Sequence, residues 1–250
     1  DVEALIRLMV LNRLCDPESK LGVLRWVQTV ALPDFGPRAV THQQLLRSLD
    51  ALMDHQDEVD AVVAGLLRPL IDQDLSVVFY DLTTIRSEGL SQQADDVRQY
   101  GMAKEGLIAR QFMLGVVQTA EGLPIYHEVF DGNTAETRTL LPTLTKVLAR
   151  FPSVQRLVLV ADRGLLSLDN LEALKAVRLA SGKPLEFIVA VPGRRYNEFI
   201  ELLEPFHEQQ CAAATQEVVS EHAWNGLRLA VAHDPVTAAT KTQQRNERID

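Results

Sequence analysis

The first part of the chain repeats apolar side chains at intervals of three and four residues, which is the spacing of one face of a helix. Leu5 and Leu8 show this spacing near the start. The stretch LPDFGPR at 32–38 interrupts the pattern with two prolines and a glycine, residues that are typical of a break between helices. We therefore predict a helical N-terminal region over residues 1–73.

From about Leu75 the apolar residues form short runs that are typical of strands. Five runs have this character: SVVFYDL at 76–82, QFMLGVVQT at 111–119, LPIYHEVF at 123–130, RLVLVAD at 156–162 and EFIVAV at 186–191. The tripeptide AEG between the second and third runs indicates a tight hairpin turn. Helical patterns fill the next two gaps. Asn133, with Glu136 three positions later, is placed to cap the first helix, and Ser167 is placed to cap the second.

The order strand, strand, strand, helix, strand, helix, strand combines an antiparallel meander with parallel crossovers. This order predicts an α/β fold, a mixed sheet flanked by helices, over residues 74–191. After Pro192 the pattern weakens, but two alternating runs around Asn225-Gly226 predict a second hairpin.

Two aspartates follow apolar residues and are predicted to end their strands, Asp81 the first strand and Asp162 the fourth. Functional groups gather where the ends of neighbouring strands diverge, so these carboxylates converge if the two strands are neighbours. Paired carboxylates repel each other unless they share a proton or bind a cation, and hard oxygen ligands suit Mg²⁺ or Mn²⁺. The alternatives are that each aspartate only caps a turn, and that Arg163 neutralises Asp162 in an ion pair.

Net charge, cysteine spacing and the length of the apolar runs limit what such a site could bind. The 250 residues carry a formal net charge of -9, which argues against binding nucleic acid through bulk electrostatics but leaves room for a local basic groove. Cys15 and Cys211 show no spacing typical of a zinc site or a disulfide framework. With no apolar run near the roughly 20 residues of a membrane helix, we expect a cytoplasmic protein.

Other catalytic motifs are missing from the sequence. It contains no HExxH metal-binding pattern, no GxxxxGK[ST] phosphate loop, no GxGxxG after a strand and no GxSxG elbow. Zinc hydrolase, nucleotide-binding and serine hydrolase functions are therefore not indicated.

Four blocks, taken in order, resemble the DDE transposases of bacterial insertion sequences, which have a ribonuclease H-like core. FYDLTTI is similar to the family's first-aspartate strand, and VLVADRGLLS at 158–167 to its second-aspartate strand. Between them, RQYGMAKEG at 98–106 resembles the family's tyrosine-glycine-serine-lysine loop. GLPIYHEVFDGNTAETRTL at 122–140 resembles its glycine-leucine-proline and glycine-asparagine segment. The likeness extends from about residue 3 to residue 235.

The resemblance implies that Asp81 and Asp162 are the first two catalytic acids and bind Mg²⁺ or Mn²⁺, two ions in the complete enzyme. In the family the third acid is a glutamate on a helix beyond a β-rich insertion. Residues 192–250 would be the start of that insertion, and the chain ends before such a helix. We therefore expect this chain alone to be inactive.

The resemblance also implies partners: double-stranded DNA, as transposon ends and target, and a second copy of the chain in a homodimer on paired ends. The location would be the bacterial cytoplasm at the nucleoid, and the N-terminal helices would help to bind DNA ends. Lys104, Asn133 and Arg163 are candidate DNA contacts. The alternatives are a solvated loop lysine for Lys104 and a helix cap for Asn133.

Two other functions remain open at this point. Haloacid-dehalogenase-like phosphatases also place a nucleophilic aspartate after an apolar strand, usually with a second aspartate two positions later, but Thr83 occupies that position here. A transposase remnant that binds DNA without cutting it is the other alternative.

Overall fold

The computed structural model describes residues 1–32, 40–71, 77–88, 96–102 and 108–247, with only the backbone for residues 70 and 71. Its helices are α1 (Val2–Cys15), α2 (Lys20–Trp26), α3 (His42–Asp54), α4 (Gln56–Ile71), α5 (Leu140–Arg150), α6 (Leu168–Ala176), α7 (Ile200–Phe206) and α8 (Pro235–Asn246). Its strands are β1 (Val77–Arg86), β2 (Gln99–Met102), β3 (Ile108–Thr119), β4 (Pro124–Asp131), β5 (Val158–Ala161), β6 (Glu186–Val189), β7 (Val218–Trp224) and β8 (Leu227–His233).

Helices α1, α2 and α3 share a small apolar core of their own, formed around Leu8, Trp26 and Leu45. Their starts follow the local sequence. The Ser19 hydroxyl accepts a hydrogen bond from the Gly22 amide, and Thr41 and Gln44 form a reciprocal capping box at the start of α3. The helical character expected for this part of the chain is present in the described residues.

Helix α4 packs instead against the sheet. Ala64 is buried in the core that the sheet forms with α5, and Leu67 packs on it. Two polar contacts fasten the same surface: Arg150 lies 3.1 Å from the Asp60 carboxylate, and the Arg68 guanidinium donates to the Arg150 carbonyl at 3.2 Å. The fourth helix therefore links the N-terminal region to the sheet.

The central sheet is mixed, as predicted. Strand β3 runs antiparallel to β1, β4 and β2, whereas β5 pairs parallel to β1 and β6 pairs parallel to β5. The order β4-β3-β1-β5-β6, with helices in the crossovers, combines an antiparallel meander with parallel strands. The α/β fold class expected from the sequence is therefore confirmed.

Strand β2 was not predicted from the sequence. Strand β2 pairs with the first residues of β3, and β4 pairs with the remainder of the same edge. The predicted AEG turn joins β3 to β4, with Gly122 at a φ of +84°. The second predicted hairpin is also present as β7 and β8, joined through Asn225 at φ 48° and Gly226 at φ 72°, which are values typical of a type I′ turn.

The prediction that Asp81 ends its strand was wrong. Strand β1 continues to Arg86, because β3 pairs with it along its whole length, and only the parallel pairing with β5 stops at Tyr80. Side chains alternate along β1: Val78, Tyr80 and Leu82 are buried in the core under α5, whereas Asp81 is exposed on the opposite face.

Candidate functional site

Asp81 and Asp162 lie at adjacent positions on two neighbouring parallel strands. The last residues that pair between β1 and β5 are Tyr80 and Ala161, and each aspartate is the next residue along its chain. Neighbouring strands lie about 4.8 Å apart, so this register brings the backbone of Asp81 close to that of Asp162. Beyond this point β1 continues along β3, whereas the chain after β5 turns away. The two aspartates therefore flank the place where the strands separate.

Each carboxylate makes a hydrogen bond to the backbone that follows it. Oδ1 of Asp81 accepts from the Leu82 amide at 2.9 Å, and Oδ1 of Asp162 accepts from the Arg163 amide at 2.6 Å. In the part of the chain that the structure describes, no hydrogen bond reaches Oδ2 of either residue, and both residues are exposed. One oxygen of each aspartate is therefore available to an external ligand.

The local role of Asp162 is that of a turn residue, as one alternative held. It precedes a 3-10 turn over Arg163–Leu165. The ion-pair alternative is not observed: among the described residues the Arg163 guanidinium forms no salt bridge, and its contact with Asp162 is through the backbone amide. Arg163 is exposed beside the pair.

Asn170 and Glu136 contact the turn that follows Asp162, and the sequence did not predict this role for either residue. Asn170, in α6, donates from Nδ2 to the carbonyls of Thr137 and Leu165, at 2.8 and 2.9 Å. Gly164 lies directly under the Glu136 carboxylate, because a Cβ built on Gly164 would come within 1.9 Å of Glu136 Oε2. The turn after β5 is thus packed against the turn after β4.

The residue before Asp81, Tyr80, places a neutral phenol on the core side of the sheet. Tyr80 is buried, and Thr143 Oγ1 lies 3.5 Å from its hydroxyl. Burial is the main cause that raises the pKa of Tyr80 above its usual value, so the phenol keeps its proton at neutral pH. Gly115 on β3 makes room for this ring, since a Cβ there would lie 2.9 Å from the hydroxyl.

The first part of the RQYGMAKEG block has a structural role. The Asp96 carboxylate forms ion pairs with Arg98 and Arg110, and the Nη2 atom of each arginine lies 2.6 Å from Oδ2 of Asp96. The hydrogen bond from Arg98 is the main cause that holds the pKa of Asp96 well below its usual value. The carbonyl of Arg110 accepts from the Ser87 amide at 2.8 Å, which fastens this cluster to the end of β1. The arginines therefore order the sheet edge.

The other candidate contacts have different outcomes. Lys104 lies outside the described residues. Asn133 follows β4 and is exposed, but the prediction that it caps a helix was wrong. Helix α5 begins at Leu140 with Thr139 in the capping position, and residues between them form a 3-10 turn. The cap predicted at Ser167 is confirmed, since its hydroxyl accepts from the Asn170 amide at 3.1 Å.

The donor set fits part of a divalent metal site. Carboxylate oxygens are the ligands that Mg²⁺ and Mn²⁺ prefer, and Asp81 and Asp162 offer one free oxygen each at adjacent positions. Within residues 1–32, 40–71, 77–88, 96–102 and 108–247, no group of three or more His, Cys, Asp or Glu side chains is arranged to hold a metal ion. The described residues therefore supply two ligands and not a closed site.

Comparisons with known proteins identify no family. No protein-family model matches this chain, and no curated protein matches it. Similar solved structures include a pre-cleavage Mos1 transpososome, at 11% identity and a TM-score of 0.31 over 84% of this chain and 71% of that chain. The Mos1 mariner paired end complex with Mn has 13% identity and a TM-score of 0.28 over 84% and 71%.

The Mos1 Strand Transfer Complex has 13% identity and a TM-score of 0.29, over 84% of this chain and 70% of that chain. Because these TM-scores lie below 0.5, the overlaps do not bear on the chemistry of this protein. In the described residues no helix is both long and apolar enough to cross a membrane.

Proposed function

We propose that this chain belongs to a DDE transposase of a bacterial insertion sequence, with Asp81 and Asp162 as two acids of its metal site. The observation that carries the proposal is the register of β1 and β5, in which the pairing of Tyr80 with Ala161 makes the two aspartates neighbours. The four sequence blocks support the same assignment, because two of them carry Asp81 and Asp162 in the order expected for the first two acids of the family.

The carboxylates would bind Mg²⁺ or Mn²⁺, two ions in the complete enzyme, through their exposed oxygens. Such ions, when bound, lower the pKa of water and stabilise the charge that develops on a phosphodiester. Asp81 and Asp162 would define where the cations bind, with the neutral, buried Tyr80 on the opposite face of the sheet from Asp81. The reaction would be cleavage of a phosphodiester at a transposon end, followed by attack of the freed 3′-hydroxyl on target DNA.

Double-stranded DNA is the proposed partner, and a homodimer on paired ends in the bacterial cytoplasm is the proposed assembly. The net charge of -9 requires that contacts with phosphate be local. Arg163 is exposed next to Asp162. Asn133 is exposed after β4, which runs in the same direction as β1 and so ends at the same end of the sheet. Together with Lys104 they are the candidate DNA contacts.

Binding of Mn²⁺ tests the metal site directly. Because two carboxylates are fewer than the six oxygen ligands usual for such ions, we expect weak binding to the chain alone. Asp81→Asn and Asp162→Asn should each weaken it by more than about tenfold, measured by the loss of the free Mn²⁺ signal in electron paramagnetic resonance.

Asp131→Asn is the matched control, since Asp131 is also exposed and lies at the end of β4. Its Mn²⁺ affinity should equal that of the wild type. Unchanged affinity in both the Asp81 and the Asp162 variants would overturn the metal-site proposal.

The absence of a three-ligand cluster among the described residues favours one second candidate, a remnant that binds DNA without cutting it. A labelled duplex distinguishes the two. Because this chain alone is expected not to cut, DNA binding is compared with and without Mn²⁺. Binding that Mn²⁺ strengthens and Asp81→Asn weakens supports the transposase, whereas binding that neither Mn²⁺ nor Asp81→Asn changes supports the remnant. The phosphatase alternative gains no support, because Thr83 still occupies the position of its second aspartate.

A further inference from the structure

We propose that Asn170 is a positioning residue for Asp162: its amide fastens the turn that begins at Asp162 and so keeps this carboxylate beside Asp81. The inference rests on the proposed function, since it concerns the same metal site. The observation behind it is the buried side-chain amide of Asn170, which binds two backbone carbonyls outside its own helix.

The Asn170 amide joins two turns from different parts of the chain. The residue is 6% exposed, and both hydrogen bonds from Nδ2 go to backbone carbonyls. Thr137 belongs to the 3-10 turn over Glu136–Arg138, and Leu165 ends the 3-10 turn that follows Asp162. Because an amide nitrogen has two N–H groups, this one nitrogen is fully used in holding the two turns together.

Asp162 has few other restraints. Its strand pairing ends one residue earlier, at Ala161, and its own side chain is bonded only to the next amide among the described residues. Leu165 anchors the far end of the turn through a buried side chain, and Asn170 binds the carbonyl of that same residue. The Glu136 carboxylate over Gly164 closes the turn from the other side. A freed Leu165 carbonyl would therefore let the turn and Asp162 move together.

The chain offers a matched control in Asn12. It is 1% exposed and donates from Nδ2 to the Asp16 carbonyl at 2.8 Å, but it lies in α1, which packs in the separate N-terminal core. Removing either side chain breaks hydrogen bonds made by a buried amide, so both alanine variants should be less stable than the wild type. Only one of them should affect the acidic pair.

The experiment compares Asn170→Ala with Asn12→Ala by two measurements. Mn²⁺ affinity should fall about tenfold in Asn170→Ala, as for residues that orient metal ligands, and stay at the wild-type value in Asn12→Ala. Without metal, amide hydrogen exchange at Leu165 and Leu166 should accelerate in Asn170→Ala only, since both amides donate within the Asp162 turn.

The outcomes separate this inference from the proposed function. Wild-type exchange at Leu165 and Leu166 in Asn170→Ala, or equal acceleration in Asn12→Ala, overturns the positioning role with or without metal. An unchanged Mn²⁺ affinity in Asn170→Ala also overturns it, provided that Asp81→Asn weakens binding. If Asp81→Asn and Asp162→Asn bind Mn²⁺ like the wild type, the proposed function fails, and exchange alone decides whether Asn170 holds the turn.

A milder variant covers the case in which Asn170→Ala does not fold. Asn170→Ser keeps one hydroxyl donor in place of two N–H groups, so exchange at Leu165 and the loss of Mn²⁺ affinity should both be intermediate. Wild-type behaviour of this variant in both measurements would contradict the inference.

Discussion

Gly132 and Gly164 occupy equally tight places, yet the structure predicts different costs for replacing each with alanine. A Cβ on Gly132 would lie 1.9 Å from the Gln111 carbonyl oxygen and 2.7 Å from that of Gln99. A Cβ on Gly164 would also lie 1.9 Å from an oxygen, but this one is the carboxylate end of the exposed Glu136 side chain.

The neighbours decide the magnitude. At Gly132 the alanine meets backbone in β3 and β2, which must move by about 1 Å and give up hydrogen bonds worth about 1 kcal/mol each. These bonds include the one from Gln111 Nε2 to the Gly132 carbonyl, at 2.9 Å. We expect Gly132→Ala to lower the free energy of unfolding by about 3 kcal/mol or more.

At Gly164 the Glu136 side chain can turn to another rotamer, at a cost of about 1 kcal/mol or less. The lower chain entropy of alanine in the unfolded state offsets a similar amount. The free energy of unfolding should therefore change by less than about 0.5 kcal/mol in Gly164→Ala.

Urea unfolding followed by circular dichroism measures both changes, with the slope of the transition as a check that the unfolded states are comparable. In a Glu136→Ala background, Gly164→Ala should cost nothing further, because its only close neighbour is gone. Equal destabilisation by the two single variants would refute the reasoning, and so would a fully stable Gly132→Ala.

Two more predictions concern the surface between α4 and the sheet. Burial, followed by the charge of Glu128, raises the pKa of Tyr126 from 10.0 to about 12, so the folded state favours the protonated phenol. The contribution of Tyr126 to the free energy of unfolding should therefore be fully present below pH 10 and be lost as the pH rises towards 12. Tyrosinate absorbance during alkaline titration checks this, and Tyr126→Phe should lose part of the late-titrating signal, the rest of which belongs to Tyr80. An unchanged late-titrating signal in Tyr126→Phe would contradict the prediction. Arg150→Ala removes the ion pair with Asp60 and the cation over the Tyr126 ring, at 5.0 Å from its centroid, and should cost about 1–2 kcal/mol in urea unfolding. Arg156→Ala is the control, because the ion pair of Arg156 with Glu186 is exposed, and it should change the free energy of unfolding by less than about 1 kcal/mol. Equal losses in the two variants would show that the partly buried contacts of Arg150 add no stability.

The sequence was informative where structure depends on neighbours along the chain. The hairpin turn at AEG, the Asn225-Gly226 turn and the Ser167 cap all rest on interactions within a few residues, and all three are present. The apolar runs likewise located the strands of the central sheet, since burial on one face leaves a clear alternation.

The sequence failed where distant residues decide the structure. Strand β2 (QYGM) has only four residues, and its larger apolar side chains, Tyr100 and Met102, are exposed. It forms because it pairs with β3 and because the Asp96 cluster binds the adjoining backbone. The true start of α5 at Leu140 depends on the turn that Asn170 fixes from across the molecule. The end of β1 was misplaced because pairing with β3 continues after the pairing with β5 stops.

The same difference in pairing bears on the order of folding. The meander of β1, β3 and β4 joins segments that are closer along the chain than those joined by the parallel pairing of β1 with β5. Contacts between distant segments form late, because the entropy of closing a long loop must first be overcome. We therefore expect Asp81 to reach its final place early and to meet Asp162 only when the last strands dock, so that the acidic pair marks the completed fold.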